Sequence, residues 1–191
     1  MYAELAYRLA RTDKGDGMDD LSKLGLKYGT DKIGKHNYLP IYYDLFKDRR
    51  NEVKKVLEIG VAEGAGLFMF RDFFPNSTIY GAEIDKERVD KLQGLERIEV
   101  YELDQSKEYE LDFLTKLIGF DFDLIIDDGS HKPEDQLSTC KELFSTLDEG
   151  SIYIIEDVAD DSVFSKLPTH WNRGLKRVGT RYDDQLIICR K

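Results

Sequence analysis

The chain has 191 residues, 41% of them hydrophobic, with a formal net charge of −10 and two cysteines. That length suits one domain with a full hydrophobic core, and the acidic balance argues against nucleic acid as the main partner, because nonspecific affinity for phosphate backbones comes from Lys and Arg. Cys140 and Cys189 stand too far apart for a zinc or redox motif and read as buried free thiols.

No apolar run reaches membrane-spanning length, and MYAELAYRLARTDKG lacks a secretory core, so the expected setting is cytoplasmic, with no membrane partner. Residues 1–52 read as a helical cap: Tyr2, Leu5 and Leu9 share a face, GDGMDD interrupts it and PIYYDLFKD resumes it. Over residues 53–191 strand and helix signals alternate: KKVLEIG then GLFMFRDFF, TIYGAEI then DKERVDKL, RIEVYEL then YELDFLTKLI, DLIIDD then PEDQLSTCKELFSTL, and SIYIIED. Residues 158–172 read as a short irregular crossover, and LKRVGTRYDDQLIICRK as an antiparallel hairpin around Asp183 and Asp184. The rhythm predicts an α/β fold: a single domain with a Rossmann-like, doubly wound seven-stranded sheet, mostly parallel, closed by that hairpin.

Two strands end in carboxylates. FDLIIDDGSH (Phe122 to His131) closes with Asp127, Asp128, a glycine, a hydroxyl and an imidazole, and SIYIIEDV closes with Glu156 and Asp157. Continuous apolar runs of this kind are buried on both faces, and ligands of open α/β sheets sit outside the carboxyl ends of the strands. Were the two strands parallel neighbours, about 4.8 Å apart, up to four carboxylates would converge and repel unless some took up protons or a cation offset them. Hard oxygen donors favour Mg²⁺, Mn²⁺ or Ca²⁺ over zinc. Either pair alone also suits a helix cap or a solvated strand end; together they favour a site. A lone loop histidine is most often a surface or capping residue, but His131 follows paired acids and its ordinary pKa suits proton removal near neutrality.

After the first strand comes Glu58-Ile-Gly60-Val-Ala-Glu-Gly64-Ala-Gly66. Such glycines let backbone turn tightly and approach a ligand, although a bare strand-to-helix connection uses them too. The spacing departs from Gly-x-Gly-x-x-Gly, which weakens a dinucleotide reading. The next strand ends in Glu83 and Asp85, about where an acid holds ribose hydroxyls in nucleotide-binding folds. His36, Tyr38, Tyr42 and Tyr43 read as aromatic packing, as do His170 and Trp171.

LEIGVAEGAG followed by IYGAEID resembles the first two motifs of class I S-adenosylmethionine-dependent methyltransferases, whose last two strands the terminal hairpin also resembles. The ordered set YGTDK (Tyr28 to Lys32), His36, Tyr38, LEIGV, FFPNSTIYG, Asp104-Gln105, DDGSH and IED, over about residues 21–160, is similar to a metal-dependent sugar O-methyltransferase family acting on deoxysugars of macrolides and related glycosides. The resemblance implies S-adenosyl-L-methionine and Mg²⁺ (or Mn²⁺) as cofactors and a sugar or small-molecule glycoside as partner. It implies Asp128, Glu156 and Asp157 as magnesium ligands and His131 as general base. Gly60, Gly64 and Gly66, with Glu58 before them, would pass under the methionine part of the cofactor. Glu83 would hold the ribose, Asp104 and Gln105 would flank the adenine, and Asp127 would face the amino group. Thr30, Asp31 and Lys32 would close over the cofactor from the cap.

Two departures stand out: Glu83 replaces the family's more usual Asp, and macrolide-type members carry a large amino-terminal domain without counterpart here, so their acceptor does not transfer with the fold. The expected function is metal-dependent O-methylation of a sugar hydroxyl. Methylation of a catechol or phenol, and a noncatalytic cofactor-binding subunit, are the alternatives. An exposed cap and a small sheet suit a homo-oligomer.

Overall fold

The apolar runs become β1 (Lys55–Ile59), β2 (Thr78–Glu83), β3 (Ile98–Glu102), β4 (Leu124–Asp127), β5 (Ile152–Ile155), β6 (Asn172–Arg177) and β7 (Gln185–Arg190). In the computed structural model, which describes residues 17–191, they form one sheet of order β3-β2-β1-β4-β5-β7-β6. Strands β1 to β5 are parallel, and β7 runs antiparallel to both β5 and β6. This is the expected doubly wound sheet with its terminal hairpin. The strand order reverses between β1 and β4, and a crevice opens at the carboxyl ends of strands at such a switch point.

Among the described residues the helices are α1 (Asp20–Tyr28), α2 (Leu39–Phe46), α3 (Ala65–Phe73), α4 (Lys86–Lys91), α5 (Glu108–Ile118), α6 (Pro133–Thr146) and α7 (Ser162–Lys166). The face expected of Tyr2, Leu5 and Leu9 lies outside the described residues. The 158–172 crossover holds α7, which packs Val163 into the core. No described helix is long and apolar enough to cross a membrane.

Strand side chains alternate between two apolar layers. Val56, Ile126 and Ile154 join Leu21, Tyr42 and Phe70 from α1, α2 and α3. Leu57, Ile125 and Tyr153 join Leu114 of α5 and Leu143 of α6 on the other side. The amino-terminal helices therefore cover one face of the sheet, and that face decides which acids they meet.

Helix α1 starts at Asp19, whose carboxylate accepts the Ser22 N–H at 2.7 Å, and ends at Gly29 in the left-handed region, φ +71°. It is tied to α3 by Asp72, which accepts from Lys27 Nζ at 2.9 Å and from the Tyr28 hydroxyl, while Tyr28 stacks on Phe68. Partial burial pushes the Asp72 carboxyl up, but hydrogen bonds from Tyr28, Lys27 and Arg71 outweigh it and hold it well below the usual range. A carboxylate so depressed contributes stability that is present above its unfolded pKa of about 4 and lost as pH falls toward the folded value. Asp72→Asn is expected to cost about 1 kcal/mol at pH 7, the half-exposed setting limiting the gain. In urea melts the gap from wild type should close below about pH 4; a gap constant down to pH 3 would contradict the assignment.

Candidate active site

The ladder runs one residue past the strand ends: Gly60 N–H donates to Ala82 O, Asp128 N–H to Ile59 O and Glu156 N–H to Asp127 O, each at 2.8–2.9 Å. Glu58, Ile126 and Ile154 stand in one row, so two positions on, Gly60, Asp128 and Glu156 form the next row on the face covered by the amino-terminal helices. A cavity of about 380 Å³ opens there, within the range of small-molecule sites. Of the residues expected at a site, Asp31, Gly60, Glu83, Asp104, Gln105, Asp128, His131 and Asp157 line it. Thr30, Lys32, Glu58, Gly64, Gly66, Asp127 and Glu156 do not.

The glycine loop is shaped by contacts a side chain would break. Gly60 has φ +80°, and a Cβ there would strike the Asp128 carbonyl and the Gly129 Cα at 2.6 Å. Gly64 caps α3 at φ +85°, and a Cβ on Gly66 would strike the Glu58 carboxylate. Glu58 is buried, its Oε2 has no hydrogen-bond partner, and burial pushes its carboxyl up to about 7 against the pull of Lys32. Glu83 braces the loop, accepting from Val61 N–H at 3.2 Å, Ala62 N–H at 2.9 Å and Asp85 N–H at 3.0 Å. Gln105 does the same for the 128–131 turn: its Oε1 accepts the Ser130 N–H at 2.6 Å and its Nε2 donates to Asp127 at 2.9 Å. Asp104 accepts from the Ser106 N–H and hydroxyl.

Asp127 and Lys32 are buried outside the lining of the cavity. Asp127 is fully buried on the opposite face, accepting from Gln105 and, at 3.1 Å, from the Tyr153 hydroxyl, and burial pushes it up to about 6. The reason is strand alternation: Asp127 shares its face with Ile125, and Asp128 shares the other with Ile126. Lys32, expected in the cap over the cofactor, turns toward three acids. Its ammonium, 3% exposed, lies 2.7 Å from Asp128 Oδ2, 2.8 Å from Glu156 Oε2 and 3.3 Å from Glu58 Oε1.

The acids of the two strand ends part company. Ligand atoms of Asp128, His131 and Asp157 all lie within 4.8 Å of one another. Glu156 is turned inward, with one oxygen on Lys32 and the other accepting from the Tyr42 hydroxyl. Asp157 accepts from the Tyr38 hydroxyl at 2.7 Å and lies 3.5 Å from His36 Nε2, whose Nδ1 is 2.9 Å from Asp184 Oδ1. Burial pushes Glu156 and Asp157 up, whereas Lys32 and His131 outweigh burial at Asp128 and hold it down. His131 Nε2 is 3.1 Å from Asp128 Oδ1, and that bond raises the imidazole to about 9. His131 and Asp157 both adopt positive φ, +58° and +50°, strain of the kind that concentrates at functional sites.

The 39% identity to mycinamicin VI 2''-O-methyltransferase of Micromonospora griseorubida extends over 153 residues, 75% of this chain and 37% of that enzyme. Identity to 8-demethyl-8-alpha-L-rhamnosyl tetracenomycin-C 2'-O-methyltransferase of Streptomyces olivaceus is 33% over 159 residues, 79% and 41% of the two chains. The solved structure of the MycE methyltransferase with Mg, SAH and mycinamycin VI matches with a TM-score of 0.71 at 27% identity, covering 99% of this chain and 62% of that one. In sequence the chain is similar to these sugar O-methyltransferases, and it shares the Rossmann-like fold of the MycE methyltransferase. It spans about two fifths of the length of the curated relatives it matches. No protein-family model matches it.

For this methyltransferase fold the donor set fits a hard divalent cation, since Asp128 and Asp157 offer carboxylate oxygens beside the cavity. The orphaned Glu58 Oε2 beneath the glycine loop fits a ligand carrying positive charge. Sequence reasoning missed the polar tips of the aromatic cluster: His36, Tyr38 and Tyr42 are buried, yet the two hydroxyls donate to Asp157 and Glu156, and His36 bonds Asp184 with its other nitrogen facing Asp157. Hydroxyls and an imidazole in a stretch that must be buried were the signal, because such groups need partners.

Proposed function

We propose that this chain carries the catalytic centre of an S-adenosylmethionine- and Mg²⁺-dependent O-methyltransferase whose acceptor is a hydroxyl of a sugar or glycosylated small molecule. The observation that carries the reading is the meeting of Asp128, His131 and Asp157 at the edge of a cavity floored by Gly60. Asp128 and Asp157 would hold the cation, with Glu156 as a third ligand once an oxygen is released from Lys32 or Tyr42, and Gly60, Glu58, Glu83, Asp104 and Gln105 would hold or shape the cofactor site. When bound, S-adenosylmethionine supplies the methyl group and the cation polarises the acceptor hydroxyl. The acceptor class follows the relatives, whose names specify rhamnosyl and related positions.

The chain's own residues supply positioning and proton removal. Tyr38 and Tyr42 orient the two carboxylates of the β5 edge, and Glu83 and Gln105 keep the loops of β1 and β4 in shape. His131 takes the hydroxyl proton at Nε2, which it can do only when Asp128 has stopped accepting there, because that bond holds the imidazole charged up to about 9.

Transfer of a tritium-labelled methyl group to a panel of glycosides should be abolished by chelator and restored by Mg²⁺; catechols preferred over every glycoside would reverse the acceptor class. His131→Ala should lower turnover by about 10²- to 10⁴-fold with cofactor affinity nearly unchanged. Equal losses in rate and cofactor affinity would remove the base assignment.

A further inference from the structure

The carboxylates of Glu58, Asp128 and Glu156 converge from three neighbouring strand ends on one ammonium that comes from the loop between α1 and α2. Every other lysine with a described ion pair is at least partly exposed; Lys32 alone among them is 3% exposed. Its backbone is anchored as well, since Lys32 O accepts the Tyr38 N–H at 3.0 Å. An ion cluster so buried is poor value as pure stabilisation, because desolvation offsets much of the attraction. Its worth lies in what it holds in place.

We propose that Lys32 is a built-in counter-cation of the acidic edge: a positioning residue that keeps Asp128 and Glu156 aligned in the metal-free chain and, by occupying one oxygen of each, limits how tightly a divalent cation is held. The inference rests on the metal reading of Asp128, Glu156 and Asp157 given above. Two oxygens, Asp128 Oδ2 and Glu156 Oε2, face Lys32 and are engaged by it. A fixed positive charge bonded to the carboxylates that would hold a doubly charged ion repels it at any effective dielectric of a protein. Removing it therefore weakens the metal-free fold and strengthens cation binding, a pair of opposite signs that simple structural damage does not produce.

The test is Lys32→Met in the full chain, with Lys35→Met as control, because Lys35 carries the same charge nearby but pairs with Asp31 in a half-exposed setting. Calorimetric titration with MgCl₂ should show affinity rising about tenfold or more in Lys32→Met and unchanged in Lys35→Met. The metal-free melting temperature should fall in Lys32→Met, and the increment on adding saturating Mg²⁺ should exceed that of wild type. Equal or weaker Mg²⁺ binding by Lys32→Met, beside a wild type that binds, overturns the proposal. No binding of Mg²⁺ or Mn²⁺ by wild type overturns instead the metal reading on which it stands. Should Lys32→Met not fold, Lys32→Met/Glu58→Gln decides: removing one charge of each sign should recover folding, and continued failure to fold would mean that Lys32 acts by packing.

Discussion

Asp128→Asn should abolish Mg²⁺-stimulated methyl transfer while leaving the fold intact. Asp128 is the one acid of the edge that touches every part of the proposed machinery: its Oδ2 accepts from Lys32, its Oδ1 faces His131, and it lines the cavity with Asp157. The substitution keeps shape and removes charge, so the loss reads out electrostatics. Turnover should fall about a hundredfold or more, since even partners that merely orient a metal ligand typically cost 10–100-fold. Mg²⁺ affinity should fall in parallel, and S-adenosylmethionine affinity should change little. The His131 imidazole should also titrate lower, because the bond that raises it is weakened; an NMR titration of the histidine ring signals measures this. Wild-type turnover in Asp128→Asn, insensitive to chelator, would remove Asp128 from the centre.

The difference between Asp127 and Asp128 marks how far the sequence could be read. That two apolar strands end in acids was legible in DLIIDD and SIYIIED, whereas their being parallel neighbours, a condition in the sequence, is supplied by the β4–β5 pairing. The alternation of side chains separates the adjacent aspartates as well, placing Asp127 with Ile125 and Asp128 with Ile126. Which face the amino-terminal helices cover was not legible, because that depends on packing between segments distant in sequence. Lys32 shows this most plainly: its partners lie 26, 96 and 124 positions away, and nothing within YGTDK distinguishes an ammonium reaching into a cluster of acids from one reaching over a ligand. Tyr38 and Tyr42 were legible as buried but not as oriented; one precedes α2 and the other lies within it, and only the tertiary fold brings Asp157 and Glu156 to their hydroxyls. The hairpin around Asp183 and Asp184 was read correctly as an edge, yet its tie to the site, from Asp184 through His36 to Asp157, exists only in three dimensions.

Gly60→Ala should be far more damaging than Gly64→Ala, although both glycines sit at similar positive φ, +80° and +85°. The left-handed backbone alone costs an alanine about 1–2 kcal/mol, and Gly64→Ala should lose about that much, because its new Cβ meets the end of the Leu92 side chain, which can move. At Gly60 the obstacles are the Asp128 carbonyl and the Gly129 Cα, backbone held by the ladder bond from Asp128 N–H to Ile59 O. Relief there requires β1 and β4 to separate at the switch point, so the loss should exceed about 3 kcal/mol once the broken ladder bond is added to the backbone strain. Denaturant unfolding measures that difference directly. Because the separation would displace Asp128 from Lys32 and widen the floor of the cavity, Gly60→Ala should also weaken S-adenosylmethionine binding at temperatures where the fold persists. Equal stability losses at the two glycines would show that the turn, and not the close approach of β1 to β4, is what requires glycine at position 60.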